Sequence, residues 1–483
     1  MKALVIDLGT TSLRSALVDE RGHVSAVCQR PLTVTSPNPG EVELDGAEIA
    51  DLALSCAATT LAEGGPADYL AITNQRASTM LYDPTKLSPV GPVLGWQDLR
   101  TVINCLVLQG EGLRLAPNQT ATKAKWLLEA SGRPAEDLRV ATLETWLAAV
   151  VTNGALHVSD HSNAALTGLV TPSVRQWDKR ALDVLGLHPS MMATLVPTMG
   201  PLAPATALPG APLLSALVGD QSASLFGQGG VTPGTTKVTF GTGAMLDQVT
   251  GTQGPAEMNR FTSGCFPVVA RSDEHELVWG VEAIALSAGT CIEWLRDDLG
   301  LISSVEETET LARSVPSADG VTFVPALVGL GTPQWDFGAR GGFFGLTRGS
   351  SKAHLVRAVL DGIAHTAADL VAAAVNQSDT PITTVRVDGG MTANHYLVQA
   401  FADAARVRVE VSAEREATTR GAGLMALVAA GVIPLADVAS TYEASVVFEP
   451  LLSNDEHLAS RAQWARSVER AARTIPDLSN VSF

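Results

Sequence analysis

Residues 1–22 read MKALVIDLGTTSLRSALVDERG, and the six from Asp7 to Ser12, DLGTTS, decide how the rest is read. An apolar strand, ALVID, runs into an acid, a glycine and three consecutive hydroxyl side chains before alternation resumes in LRSALVD. Such a turn either caps a tight hairpin or gathers hydroxyls and backbone N–H groups around an anion. A third β-branched stretch, VSAVCQRPLTV, follows, then a helix expected to be capped by Asp45 in LDGAEIADLALSCAATTLAEGG, then a strand, YLAITN. Antiparallel strands leading into a helix and a further strand predict a mixed sheet. The theme returns in GTTKVTFGTGAMLDQV (234–249) and in TTVRVDGGMTANHYLVQAFADAARVRVEV (383–411), where strands again flank glycine-bearing turns. This similarity of topology predicts two related sheet-and-helix domains facing each other.

A chain of 483 residues is too long for one hydrophobic core. The glycine- and proline-rich joint FGQGGVTPG (226–234) places the boundary near Gly229 and Gly230, giving domains 1–229 and 230–483. A cleft between two domains is the expected place for a ligand. The final stretch, LLSNDEHLASRAQWARSVERAARTI, has a charged amphipathic helical pattern and is expected on the outside of the second domain.

The apolar fraction of 46% with 17% charged residues describes a soluble globular chain. A formal net charge of −17, with no long basic stripe, argues against nucleic acid or an anionic membrane surface as a partner. Five scattered cysteines, Cys28, Cys56, Cys105, Cys265 and Cys291, show no C-x-x-C spacing and fit reduced thiols in a cytoplasmic protein. Four apolar residues between Lys2 and Asp7 are too few for a signal-peptide core. The longest uncharged apolar stretch, GAGLMALVAAGVIPLA (421–436), is short of a bilayer span and contains a proline, so no membrane segment is expected.

Neither a P-loop nor a completed G-x-G-x-x-G is present. His157 and His161 in HVSDH stand four apart, yet lack the glutamate of H-E-x-x-H and a nearby third ligand. Four polar, glycine-bearing turns remain: DLGTTS, GDQSAS (219–224), FGTGA (240–244) and DGGMTAN (388–394). Singly each reads as a turn. Together they offer hydroxyls, open backbone amides and three acidic groups beside predicted strands, a set able to enclose a polyphosphate and its Mg²⁺.

DLGTTSLR, ITNQRAST, GWQDLRT, HVSDHSNAALTG, GDQSASLFGQ, TFGTGAM, GGFFGLTRGSSKAHLVRAVLDG and VDGGMTANHYLVQ stand in the order of the FGGY carbohydrate kinases. The chain resembles that family from about Lys2 to about Val432, and its glycerol kinase branch most of all. Gly341, Gly345, His354, Ala358 and Asp361 are in register with the family's second signature. The resemblance implies an α/β chain of two actin-like, ribonuclease-H-like ATPase domains with ATP and a small sugar or polyol meeting between them. It implies that Thr11 and Arg14 face the β- and γ-phosphates and that Asp7 and Asp220 hold Mg²⁺. Thr242, Gly243, Gly289, Gly390 and Asn394 match positions around the phosphates and adenosine. Arg76, Trp96 and Gln221 match positions on the acceptor.

Asp220 is the expected catalytic base, because a hydroxyl is a poor nucleophile at neutral pH and a carboxylate in hydrogen-bond reach can take its proton. From local sequence alone Asp220 also reads as an N-cap for the helix of QSASLFGQ. The implied reaction is phosphorylation of a primary hydroxyl, with a xylulose- or ribulose-type ketose kinase as the alternative and an actin-like ATPase switch as the remoter one. Homo-oligomerisation is left open. Three departures bear on the acceptor: glycerol kinases usually carry Glu at the position of Ala77, Tyr at that of Asn118 and an aromatic at that of Met245. They predict that glycerol is not the best acceptor.

Overall fold

The structure is a computed structural model that describes residues 1–481. Its first half is built on five strands, β1 (Lys2–Leu8), β2 (Ser12–Asp19), β3 (Val24–Pro31), β4 (Tyr69–Asn74) and β5 (Leu213–Gly219), in the order β5-β4-β1-β2-β3. β1, β2 and β3 run antiparallel, while β4 and β5 lie parallel to β1. β1 is central and covered on both faces, which is why Ala3 to Ile6 form an unbroken apolar run and not an alternating one.

The second half repeats this plan with β6 (Thr236–Phe240), β7 (Ala244–Gly251), β8 (Phe266–Ser272), β9 (Leu277–Ala285), β10 (Thr384–Asp388), β11 (Arg408–Ser412) and β12 (Ala444–Phe448). The order is β8-β9-β7-β6-β10-β11-β12, with β10 parallel to β6 and β11 parallel to β10. An antiparallel hairpin followed by two parallel strands thus occurs twice, β1-β2 with β4 and β5, then β6-β7 with β10 and β11. This is the ribonuclease-H-like arrangement of actin-like ATPases.

Seven helices matter for the site: α1 (Gly46–Gly64), α2 (Asp220–Gly227), α3 (Gly289–Asp297), α4 (Lys352–Ser378), α5 (His395–Ala405), α6 (Ala417–Ala429) and α7 (Asn454–Ala471). Asp45 caps α1 by accepting from the N–H groups of Ala47 and Glu48. α1 covers one face of the first sheet with Ile49, Ala53 and Ala57, while α4 and α5 close the core of the second. α4 has the length and apolarity of a bilayer-crossing helix, but 67% of its most apolar window is buried inside the protein, so it is a core helix. α7 packs Trp464, Val468 and Ala471 onto the second half and leaves its charged face to solvent.

α6 comes late in the chain yet lies on the first sheet. Ala422, Leu424, Met425 and Ala426 share a core with Ala3, Val5, Ala71 and Val218. It crosses α2 where Gly227 and Gly421 meet, and a Cβ on Gly421 would collide with the carbonyl oxygen of Ala223. Both partners there are backbone, so nothing can swing aside. Gly421→Ala is expected to lower the stability of the first half by about 1–3 kcal/mol or more, read as a fall in the denaturation midpoint at unchanged m-value.

Candidate active site

The ends of the strands place the polar turns. Asp7 lies at the C-terminal end of β1, Asp220 directly after β5, Thr242 and Gly243 after β6, and Gly390 after β10. Crevices outside the carboxyl ends of parallel strands are where sheets of this kind receive ligands. Thr11, Thr242 and Gly390 are exposed there, while Asp7 is buried.

The hairpin DLGTTS closes through Gly9 N–H donating to the Ser12 carbonyl at 3.0 Å. Asp7 accepts from the Thr419 hydroxyl of α6 at 2.7 Å and lies 4.0 Å from Arg14 Nη1. Burial pushes the Asp7 carboxyl up to about 6, against the pull of Thr419 and Arg14 and with Asp220 adding to the rise. Arg14 is held by Glu416, just before α6, and donates to Gln29 Oε1 at 3.2 Å. The late segment 416–419 therefore forms one wall of the opening hairpin.

Asp220 is the first residue of α2, and the N-cap is Gly219, whose lack of a side chain leaves room for the stem of Arg76. The Asp220 carboxylate makes both of its contacts through Oδ1: one accepted from the N–H of Gln221 at 2.8 Å, one with Arg76 Nε at 3.2 Å. Oδ2 makes no hydrogen bond among the described residues. Further along α2, Ser224 and Gln228 donate to Asp388 Oδ2 at 3.2 and 2.9 Å, so one helix spans from the Asp220 site to the end of β10.

Arg76 continues across to Glu282 on β9. Behind it, Lys237 of β6 faces Asp247 of β7, and Asp247 faces Glu282, in cross-strand register. Lys237 Nζ lies 2.9 Å from Asp247 Oδ2 and donates to Gln221 Oε1 at 2.5 Å and Thr239 Oγ1 at 2.9 Å. Three acids, Asp220, Asp247 and Glu282, thus share two cations, Arg76 and Lys237. Burial raises the Glu282 and Asp220 carboxyls above their ordinary values despite Arg76. The guanidinium, surrounded by those carboxylates, stays charged. The neighbouring carboxylates add to both rises, Asp247 for each of the two groups.

The acceptor candidates gather on this side. Trp96 is half-buried, takes its backbone N–H to Ser78 Oγ at 3.0 Å, and points its indole N–H at Thr10 Oγ1 of the hairpin at 3.4 Å. Ala77 is buried at φ 63° beside Arg76. Asn118 is exposed, with its carbonyl 3.3 Å from Lys123 Nζ. Met245 is half-buried on the same face of β7 as Asp247. The amide oxygen of Gln221 is occupied by Lys237.

The nucleotide candidates also converge. Gly289 N–H donates to the Gly241 carbonyl at 2.9 Å, and Ala288 and Thr290 donate to that of Thr242, which docks the N-terminus of α3 on the β6–β7 turn. A Cβ on Gly289 would strike the Gly241 carbonyl, and one on Gly243 the Ala285 carbonyl. Both glycines are there for close backbone packing. Gly390 has nothing within 4 Å of a built Cβ and faces open space. Asn394 caps α5 by accepting from Leu397 N–H at 3.0 Å and donates to Thr308 at 3.0 Å. His157 and His161 are apart from all of this, bonded to Tyr82 and Ser272.

Asp7 and Asp220 are close enough for the charge of Asp220 to raise the Asp7 carboxyl, and burial pushes both carboxyls up. Among the described residues there is no cluster of three or more His, Cys, Asp or Glu side chains around a metal position. The donor set fits an ion such as Mg²⁺ that keeps water and substrate oxygens as most of its ligands.

The sequence singled out neither Lys237, Asp247 and Glu282 nor Glu416 and Thr419, and it offered Asp388 only as part of the turn 388–394. A signal for the first three existed: each is a charged residue interrupting an apolar strand, in TKVTF, AMLDQV and GVEAIA.

The profile of the FGGY family of carbohydrate kinases matches with its N-terminal domain over residues 2–227 and its C-terminal domain over 231–430. A glycerol kinase of Aromatoleum aromaticum is 36% identical over 490 residues, 97% of this chain and 98% of that one. A glycerol kinase of Halorhodospira halophila is 37% identical over 490 residues, 97% and 96% of the two chains. In fold, Plasmodium falciparum glycerol kinase with ADP superposes with a TM-score of 0.89 at 23% identity, covering 97% of this chain and 98% of that one. A ligand-bound xylulose kinase from Lactobacillus acidophilus gives 0.86 at 18% identity, covering 97% of each. With both domain profiles and relatives matched along almost its whole length, the chain belongs to the FGGY family of carbohydrate kinases and is a phosphotransferase that uses ATP.

Proposed function

We propose that the chain transfers the γ-phosphoryl group of ATP to a primary hydroxyl of a polyol or ketose of four or five carbons, with Asp220 as general base. The observation that carries this reading is Asp220 itself: half-buried, gripped through Oδ1 alone, and leaving Oδ2 for an alcohol. An ATPase switch has no use for such a group. Its raised pKa makes it a better proton acceptor than an ordinary aspartate.

Arg76 and Trp96 hold the acceptor, Arg76 by hydrogen bonds to its hydroxyls and Trp96 by packing on its carbon chain. As the oxygen attacks phosphorus, Asp220 Oδ2 takes the hydroxyl proton while Arg76 keeps the carboxylate aimed. Thr11, Thr242 and Gly390 present backbone at the strand ends to the phosphates and the nucleotide, and Arg14 exchanges Glu416 for phosphate oxygens. Asp7 and Asp220 would hold a Mg²⁺ ion, which would supply charge neutralisation of the phosphate oxygens. Asn394 and Gly289 serve by fixing α5 and α3, which frame the nucleotide turns, and Gly243 by letting the β6–β7 turn pack closely. Division of labour near Gly229 and Gly230 leaves acceptor and phosphate hairpin to residues 1–229 and nucleotide to 230–483, with α6 as the late segment that crosses back.

The acceptor is argued from what is missing. Ala77, Asn118 and Met245 stand where glycerol kinases usually have a glutamate, a tyrosine and an aromatic, so a charged partner for a small triol is lost and space is opened. Loss of a charged hydrogen-bond partner is worth about 1.5–3 kcal/mol, so glycerol is expected to be weaker than the best C4 or C5 acceptor by roughly ten- to a hundredfold in kcat/KM. The measurement is ADP release across glycerol, C4 and C5 polyols and common ketoses, repeated in Ala77→Glu, which should recover glycerol. Glycerol leading in the native protein would restore the glycerol kinase reading, and ADP release indifferent to every acceptor would remove the kinase reading.

A further inference from the structure

Two lysines are fully buried, and they are kept differently. Lys237 has the Asp247 carboxylate at 2.9 Å. Lys123, on the helix Thr120–Ser131, has no carboxylate within 4 Å among the described residues; its ammonium reaches two backbone carbonyls, that of Ala77 at 3.4 Å and that of Asn118 at 3.3 Å. The charged and titratable groups that face it are Asp98, Arg100 and the Cys105 thiol. Asp98 is already engaged by Arg100, at 2.8 to 3.0 Å, and by the N–H of Val42 at 2.7 Å. Burial draws Lys123 down to about 7.

A buried ammonium without a counter-ion is costly, and an apolar side chain of similar length would be more stable there. Both of its contacts go to the backbone of residues at the acceptor side of the site. One, Ala77, follows Arg76 directly and sits in the left-handed region, a conformation that its surroundings must hold. The other, Asn118, is on a different segment.

We propose that Lys123 is a positioning residue for the acceptor: its ammonium ties the backbone of Ala77 to that of Asn118 and so sets the width of the pocket that selects acceptor length. The proposal rests on the acceptor reading of Ala77 and Asn118 above. Hydrogen bonds from a charged donor are roughly twice as strong as neutral ones, so the tie is tight below pH about 7 and loosens as the proton leaves. Stability runs the other way. The folded pKa lies below the ordinary value of 10.5, the folded chain binds fewer protons than the unfolded one between about 7 and 10.5, and stability rises with pH across that window.

The test is Lys123→Met in the full chain, with the best C4 or C5 acceptor. Expected at pH 7 are an acceptor KM raised by roughly tenfold, an ATP KM unchanged, kcat within about threefold, and a weakened preference over glycerol. The melting temperature should be equal or higher, and the rise of stability from pH 7 to 10 should vanish. In the native protein the acceptor KM should climb between pH 6 and 9 while the ATP KM does not, a limb absent from Lys123→Met. A variant with native acceptor KM and length preference overturns the proposal, as does a native acceptor KM flat with pH if the variant fails to fold. Absence of acceptor-dependent turnover in the native protein would instead remove the kinase reading on which it rests.

Discussion

Replacing Asp220 by Asn is expected to lower kcat by roughly 10²-fold or more, the scale of a lost general base, while the protein folds and binds ATP. The amide has the shape of the carboxylate, and its oxygen can still accept from the Gln221 N–H that Oδ1 now accepts. What it cannot do is hold a proton taken from an alcohol. Arg76 loses one anionic partner but keeps Glu282, so no cation is stranded. The nucleotide turns, built on β6, β10 and α3, do not touch Asp220, so ATP affinity by calorimetry should change little apart from any Mg²⁺ contribution. Removing one negative charge from a cluster with more acids than cations should leave the melting temperature equal or higher. Near-normal turnover in Asp220→Asn would take Asp220 out of the mechanism, whereas a collapsed melting temperature would show that it is held for stability.

The hairpin of DLGTTS, the strands that follow and the repeat of the theme in the second half were legible because they are local: alternation, turn residues and caps lie within a few positions of one another. The walls of the site were not. Asp7 is bonded to Thr419, 412 residues away, and Arg76 to Glu282, 206 residues away. Such pairs depend on how α6 folds back over the first sheet and on how the two sheets face each other, which no window of sequence contains. The charged row on β6, β7 and β9 is intermediate. Its residues were visible as interruptions of apolar strands, but their alignment depends on strand register, which only pairing fixes. Gly289 shows the limit of reading a turn: its motif pointed to a nucleotide, and its immediate task is to let α3 touch the Gly241 carbonyl.

That charged row makes Arg76 the residue whose loss should cost most. In Arg76→Met the apolar stem is kept, so packing against Gly219 is preserved, and only the guanidinium goes. Asp220, Asp247 and Glu282 are then left with Lys237 as their single cation. Removing one partner of a buried ion pair typically costs 3–5 kcal/mol, and here two carboxylates lose their partner at once. The chain has one means of relief: Glu282 and Asp220, already pushed up by burial, can take protons. Their folded pKa values lie above the unfolded ones, so the folded state binds more protons in the window between them, and stability falls as pH rises through it. The variant should therefore be least stable above neutral pH and recover as the pH is lowered toward 5, with a steeper dependence than the native protein. Function should fail even where folding recovers. Asp220 is no longer aimed and the acceptor loses a hydrogen-bonding cation, so kcat/KM for any acceptor should fall by roughly 10³-fold or more, with ATP affinity retained. Thermal melts from pH 5 to 9 and acceptor kinetics on the folded variant give both readouts. A variant as stable as the native protein at pH 8 would mean that the three acids are not held by Arg76. One that is folded and turns over acceptor normally would move the acceptor site away from it.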